Sequence, residues 1–261
     1  MASLPRPSDE DILIFENQIR ESEVNIRPLI SARRPIDDLV EEYADSENIN
    51  FLLKIGQIGE ASGALRRTRG DGNCFFRAFS FALVEAIGAL SAERRGEISI
   101  YFRETIEQLL RAAGFDRMAY EDFYDELFLS IDDTARHSGD WLADEWISQP
   151  HRSHSLVVLL RLVASAYLRA HAEDYEPFLL ESECTDMTQY CQRHVECLGV
   201  ESDQIHIIAL SKALRVDVEI AYLDGNVGPL DRIQFKPGAP SLLGVQMLYR
   251  PGHYDLLYPK T

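Results

Sequence analysis

The chain has 261 residues, of which 46% are hydrophobic and 10% aromatic, so it can bury the core of one large domain or two small ones. Its formal net charge of −17 argues against a nucleic-acid partner, which needs clustered Lys and Arg, and suits a basic partner instead. The first residues lack the apolar core of a signal peptide, and no apolar stretch reaches the ~20 residues of a membrane span. Together with only four cysteines, these features predict a location in the cytoplasm or nucleus, without membrane association.

The N-terminal part of the chain carries predicted short helices. The first begins at the polar residues 8–11, where acidic side chains suit the first turn, and Pro28 ends it. Pro35 opens a second helix, and a third follows it. We interpret residues 1–45 as a helical arm, packed on or partly free of a catalytic domain that spans residues 46–261.

The segment Gly70–Cys74 is predicted to be a tight loop that opens into a helix, because Phe75, Phe79 and Leu83 recur at helical spacing. Cys74 then lies at or beside the first helical turn. Free backbone N–H groups and the helix dipole favour a thiolate there, and the same groups can hold an oxyanion. Cys74 is therefore a candidate nucleophile, although a buried structural cysteine would fit the same pattern.

The middle of the chain is predicted to be helical over residues 97–112, 120–131 and 155–172, where apolar residues recur three and four apart. We interpret Trp141 and Trp146 as core residues.

One cysteine-rich segment raises the question of a metal, since Cys184, Cys191, His194 and Cys197 lie close together in sequence. Their spacing matches no paired zinc-binding motif, so packing is the preferred interpretation and a zinc site the alternative. His206 is flanked by isoleucines and is interpreted as a core histidine.

The last third of the chain predicts strands at residues 216–222, 242–248 and 254–258, with alternation clearest in the first. The predicted fold is therefore an α+β domain, with a helical front half packed on a small sheet formed mainly by the C-terminal part.

His253 and Asp255 follow a Pro-Gly turn at the start of the last predicted strand. Side chains two apart share one face of a strand, so the carboxylate can orient the imidazole as a catalytic base requires. The alternative is an exposed pair with no such role. The sequence does not show whether His253 and Cys74 meet.

Four segments together resemble the otubain branch of the ovarian-tumour (OTU) deubiquitinases: Asp-Gly-Asn-Cys-Phe-Phe-Arg-Ala-Phe from residue 71, Tyr-Arg-Pro-Gly-His-Tyr-Asp from residue 249, Glu-Ser-Asp-Gln-Ile-His from residue 201, and Arg-Arg-Thr-Arg from residue 66. The segments occur in the family's order, and the resemblance as a whole covers about residues 10–259.

The resemblance implies a papain-like OTU cysteine protease fold with Cys74 as the nucleophile, His253 as the general base and Asp255 as its orienting partner. Asp71 would belong to the oxyanion loop. Glu201 would gate the site, holding His253 away from Cys74 until ubiquitin binds. Since some cysteine hydrolases use Asn in the orienting position, Asp255→Asn is expected to be milder than His253→Ala.

The resemblance further implies a deubiquitinating thiol isopeptidase, a monomer that needs no metal or cofactor and binds ubiquitin and polyubiquitin. Chains linked through lysine forty-eight of ubiquitin are the expected substrate. One alternative is a non-catalytic protein that binds and inhibits ubiquitin-conjugating enzymes. Another is a papain-like enzyme with an unrelated substrate and no affinity for ubiquitin.

Overall fold

The computed structural model describes residues 27–137, 140–179 and 182–260. The predicted first helix lies outside these ranges. The helices are α1 (Asp37–Glu42), α2 (Ile49–Ala61), α3 (Cys74–Gly88), α4 (Ala92–Ala112), α5 (Glu121–Arg136), α6 (Trp141–Ser148), α7 (Pro150–Ala170), α8 (Ala172–Leu179), α9 (Met187–Tyr190) and α10 (Gln204–Leu214). The strands are β1 (Arg34–Pro35), β2 (Ser62–Arg66), β3 (Val216–Tyr222), β4 (Asp231–Phe235), β5 (Leu243–Arg250) and β6 (His253–Pro259).

The strands form one sheet in the order β1-β2-β6-β5-β3-β4, and all neighbours are antiparallel except β3 and β5. The α+β class is confirmed. The sheet nevertheless differs from the predicted one, because β1 and β2 come from the chain before the cysteine loop and β4 was also missed. Both N-terminal strands are short, and β2 follows α2 without a break, so the sequence around them carries little alternation.

Helices cover both faces of the sheet, and this arrangement brings the two candidate catalytic segments together. The larger core surrounds α3, whose Phe75, Phe76 and Phe79 are fully buried. Burying each such side chain contributes roughly 1.5–3 kcal/mol. A smaller cluster on the other face joins α1 and α2 to the sheet through Leu39, Ile55 and others. Strand β6 contributes to both clusters, so its start is held beside the N-terminus of α3.

Residues 27–45 lie against the rest of the domain. Strand β1 pairs with β2, and Leu39 of α1 is fully buried. The division of the chain at residue 45 stays a prediction, since most of the proposed arm precedes the described ranges.

The predicted middle helices are present but extend further, as α4, α5 and α7 each begin or end several residues beyond the predicted bounds. Trp146 is buried as predicted, whereas Trp141 is only half-buried and stacks on His137 at 4.2 Å. Within the described ranges no single helix is long and apolar enough to cross a membrane; α7 and α8 meet that length and composition only together, across a 101° bend.

Candidate active site

Cys74 is the first residue of α3, as the sequence predicted, and it is 3% exposed. Asn73 precedes the helix, but its side chain does not cap the first turn among the described residues. Its Oδ1 instead accepts hydrogen bonds from Arg161 Nη2 at 2.9 Å and from the Gly199 N–H at 3.0 Å. The N–H groups at the start of α3 are thereby left for an anionic group at Cys74.

Asp71 organises the loop before Cys74. Its two carboxylate oxygens accept hydrogen bonds from Arg77 at 2.6 and 2.7 Å, and the Asn73 N–H donates to Oδ1 at 3.1 Å. Burial opposes ionisation, but Arg77 outweighs it and lowers the pKa of Asp71. An ionised carboxylate only accepts hydrogen bonds, so Asp71 itself cannot donate to an oxyanion. Its membership of an oxyanion loop stays a prediction.

Gly72 adopts a φ of +73°, and a Cβ on it would lie 2.0 Å from the Gly199 carbonyl oxygen. Only glycine fits this left-handed conformation at such close approach. The loop before Cys74 therefore lies directly on the segment that leads to Glu201.

Arg161 of α7 joins the loop before Cys74 to the segment before Glu201. The sequence analysis gave this residue no role. Its buried guanidinium donates to the carbonyl oxygens of Gly72 at 3.1 Å and Val200 at 2.7 Å, besides Asn73, and lies over the Phe76 ring at 4.4 Å. Burial lowers its pKa to about 10, so it remains a cation at neutral pH. The apolar run around Arg161 contains this single charge, which is the sequence signal that could have marked it.

His253 and Asp255 lie on one face at the start of β6 and meet Cys74. His253 Nε2 lies 2.9 Å from Asp255 Oδ1, and the ring also lies close enough to the Cys74 side chain to interact with it electrostatically. Burial by itself would lower the pKa of His253, but the contacts with Asp255 and Cys74 raise it to about 9. The imidazole is therefore cationic at neutral pH.

Asp255 is fully buried and accepts more hydrogen bonds than the one from His253. The Thr68 N–H donates to Oδ1 at 2.9 Å, while Arg67 and Arg250 donate to Oδ2 at 3.2 and 2.7 Å. Burial opposes its charge, yet His253 and the two arginines hold its pKa well below the usual range. The sequence analysis noted the Arg-rich run that contains Arg67 and Thr68, and the segment that contains Arg250, but gave these three residues no function.

A cleft of about 140 Å³ opens at Cys74 and is lined in part by Glu201, Tyr222, Tyr249 and Tyr254. The Glu201 carboxylate lies within 3.7 Å of the position that a Cβ on Gly252 would take, next to His253. His253 interacts with the Cys74 side chain in this conformation. The gating role of Glu201, which requires a second conformation, stays a prediction.

The cysteines of the cysteine-rich segment differ in their surroundings, and Cys191 packs in the core. Cys191 is buried, its thiol lies 3.7 Å from the Ser165 carbonyl, and burial raises its pKa to about 11, whereas Cys197 is exposed. Among the described residues, no group of three or more His, Cys, Asp or Glu side chains could hold a metal ion. His206 is confirmed as a core histidine: it is buried, receives the Asp203 N–H at 2.8 Å, and burial lowers its pKa to about 4.

A cysteine at a helix start, a hydrogen-bonded histidine and a buried carboxylate, all on an α+β scaffold, are the features of a papain-like cysteine peptidase. Residues 22–259 match the family model described as Peptidase C65 Otubain. The chain is also similar to ubiquitin thioesterase OTUB1 of Homo sapiens, with 35% identity over 96% of this chain and 90% of the relative. A deubiquitinating enzyme of Arabidopsis thaliana with an ovarian tumor domain is 33% identical over 92% and 84%.

Solved structures of OTUB1 complexes have a fold similar to that of this chain. The h/ceOTUB1 chain in a complex with ubiquitin aldehyde and UBCH5B~Ub superposes with a TM-score of 0.82 at 27% identity, covering 97% of this chain and 98% of that chain. A ceOTUB1 complex with ubiquitin aldehyde and UBC13~Ub gives a TM-score of 0.80 at 26% identity, covering 97% and 100%. The chain belongs to the otubain family of cysteine peptidases.

Proposed function

We propose that this otubain is a thiol isopeptidase that removes ubiquitin from polyubiquitin chains or conjugates, with Cys74, His253 and Asp255 as its catalytic residues. We further propose a preference for chains linked through lysine forty-eight of ubiquitin. The observation that carries the proposal is the clustering of three side chains: the His253 ring interacts with the Cys74 side chain, and its Nε2 lies 2.9 Å from Asp255 Oδ1. The names of the relatives, ubiquitin thioesterase among them, support ubiquitin as the substrate. The net charge of −17 suits a basic partner.

The geometry supports a two-step acyl transfer. The Cys74 thiolate attacks the carbonyl carbon of the C-terminal glycine of ubiquitin, and the oxyanion forms beside the N–H groups at the start of α3. The C–N bond then breaks, and the His253 imidazolium gives its proton to the departing lysine amine. Water adds to the thioester while His253 takes up its proton, and cleavage of the C–S bond releases the ubiquitin carboxylate and the thiolate.

A ubiquitin probe with an electrophilic C-terminus tests the assignment of the nucleophile. It should label the wild-type chain and Cys197→Ala equally, because Cys197 is the exposed cysteine and its loss leaves the site intact. It should not label Cys74→Ala. Labelling that persists in Cys74→Ala would overturn the assignment. A panel of di-ubiquitins of every linkage then measures the preference, and equal cleavage of all linkages would refute the lysine forty-eight proposal.

A second candidate function, inhibition of ubiquitin-conjugating enzymes by binding alone, is favoured by the solved relatives that are complexes with UBCH5B~Ub and UBC13~Ub. It is separable from catalysis by Cys74→Ala. If that variant suppresses ubiquitin-chain synthesis as strongly as the wild type, binding is sufficient for inhibition. If suppression requires Cys74, the effect comes from cleavage.

A further inference from the structure

The Glu42 carboxylate, at the end of α1, contacts both arginines that hold Asp255. Its Oε2 accepts a hydrogen bond from Arg67, and its Oε1 accepts one from Arg250 at 2.7 Å. The same two guanidinium groups donate to Oδ2 of Asp255. Two cations are therefore shared between one carboxylate that is fully buried and another whose side chain is 39% exposed.

The charges in this cluster balance. Two guanidinium groups face two carboxylates, so the charges of these four side chains sum to zero. Without Glu42, the cluster would carry one net positive charge beside the imidazolium of His253. Like charges in a partly buried site disfavour one another's ionised forms, so His253 would release its proton more readily.

We propose that Glu42 is a positioning residue of the active site, which offsets the charges of Arg67 and Arg250 and so keeps His253 protonated. Glu42 acts through the arginines, whose atoms link it to Asp255. The inference rests on the proposed catalytic function of Cys74, His253 and Asp255. It connects α1, outside the catalytic loop, to the protonation of the general acid.

Several charged or titratable groups face the His253 ring or lie next to it, and each bears on its pKa. They are Cys74 from α3, Asp255 from β6, Arg250 from β5, Arg67 from the loop after β2, and Glu201 from the loop before α10. The Glu42 effect is isolated when all of them are kept and only its charge is changed.

The test follows the His253 ring by NMR titration of the full-length chain in a Cys74→Ala background, so that a single proton is observed without coupling to the thiol. Loss of the signal in His253→Gln assigns it. Glu42→Gln should lower the ring pKa by ~0.5–1 unit, the effect of one screened charge at a separation on the order of 10 Å. Glu41→Gln, which removes the same charge from the same helix, is the matched control and should leave the pKa unchanged.

Neutralising one charge of each sign, singly and together, sharpens the test. Arg67→Gln should raise the ring pKa, and Glu42→Gln with Arg67→Gln should return it toward the value without either change, because the net charge is restored. A merely structural role of Glu42 would not produce opposite signs. The proposal is overturned if the ring pKa is the same with and without Glu42→Gln, or if Glu41→Gln moves it equally.

The ring titration needs no substrate, so it separates this inference from the proposed function. A wild-type chain that cleaves no di-ubiquitin would count against the proposed function and leave the titration to decide the role of Glu42. An active wild-type chain whose ring pKa ignores Glu42 would count against Glu42 alone.

Discussion

Asp255→Asn is expected to be far more damaging than the sequence alone suggested. The carboxylate accepts from His253 and the Thr68 N–H on Oδ1, and from Arg67 and Arg250 on Oδ2. An amide offers one oxygen and one NH₂ group, so in either orientation it points N–H donors at two existing donors. The substitution also leaves two guanidinium groups beside a neutral side chain.

The magnitude follows from these contacts. Breaking a buried ion pair by removing one partner costs about 3–5 kcal/mol of stability. The analogous change in a serine triad lowers kcat by about 10⁴. We therefore expect Asp255→Asn to lose about 3–5 kcal/mol of stability. Its activity should exceed that of His253→Ala by at most about tenfold. His253→Ala removes one charge-assisted hydrogen bond but leaves Asp255 with its arginines and Thr68, so the stability of this variant should fall by only ~1.5–3 kcal/mol.

Urea unfolding followed by intrinsic fluorescence measures the stability, and cleavage of di-ubiquitin below the unfolding transition measures activity. Both variants are compared with the wild type in the same buffer. The reasoning is refuted if Asp255→Asn unfolds within ~1 kcal/mol of the wild type and retains much more activity than His253→Ala.

Three further predictions concern the loop, the gate and pH. Gly72→Ala should lower kcat by about 10²-fold, since the loop must move to relieve the contact with the Gly199 backbone. Gly114→Ala is the control, because Gly114 also has a positive φ of +83° but lies in open space. This control should cost only ~1 kcal/mol of stability and leave activity unchanged. Glu201→Ala should speed alkylation of Cys74 by a small electrophile only without ubiquitin, and an unchanged rate with a lower melting temperature would end the gating hypothesis. Because folding raises the pKa of His253 from 6.5 to about 9, its stabilisation is complete below pH ~6.5 and is lost as the pH rises through 9. The unfolding free energy of the wild type should therefore fall over that range relative to His253→Gln, and parallel curves would contradict this.

The local pattern of residues was enough to predict the parts of the site that depend on neighbours in sequence. Helical spacing after Gly70–Cys74 placed the start of α3 at Cys74, where the structure has it. The period of a strand put His253 and Asp255 on one face of β6, and they are hydrogen-bonded. Helix starts and strand faces follow from contacts within a few residues, so they can be read without the fold.

The arrangement around Asp255 could not be predicted in this way. The Thr68 N–H comes from a position 187 residues earlier in the chain, and Glu42 reaches Arg250 from 208 residues earlier. Strand β2 was missed for the same reason, since its pairing partner β6 lies at the other end of the chain, and β1 joins the sheet only through β2. The sequence by itself determined the local elements that present the proposed catalytic residues. Only the tertiary structure decided the charges around them, because those charges come from distant segments that the sheet brings within hydrogen-bonding distance.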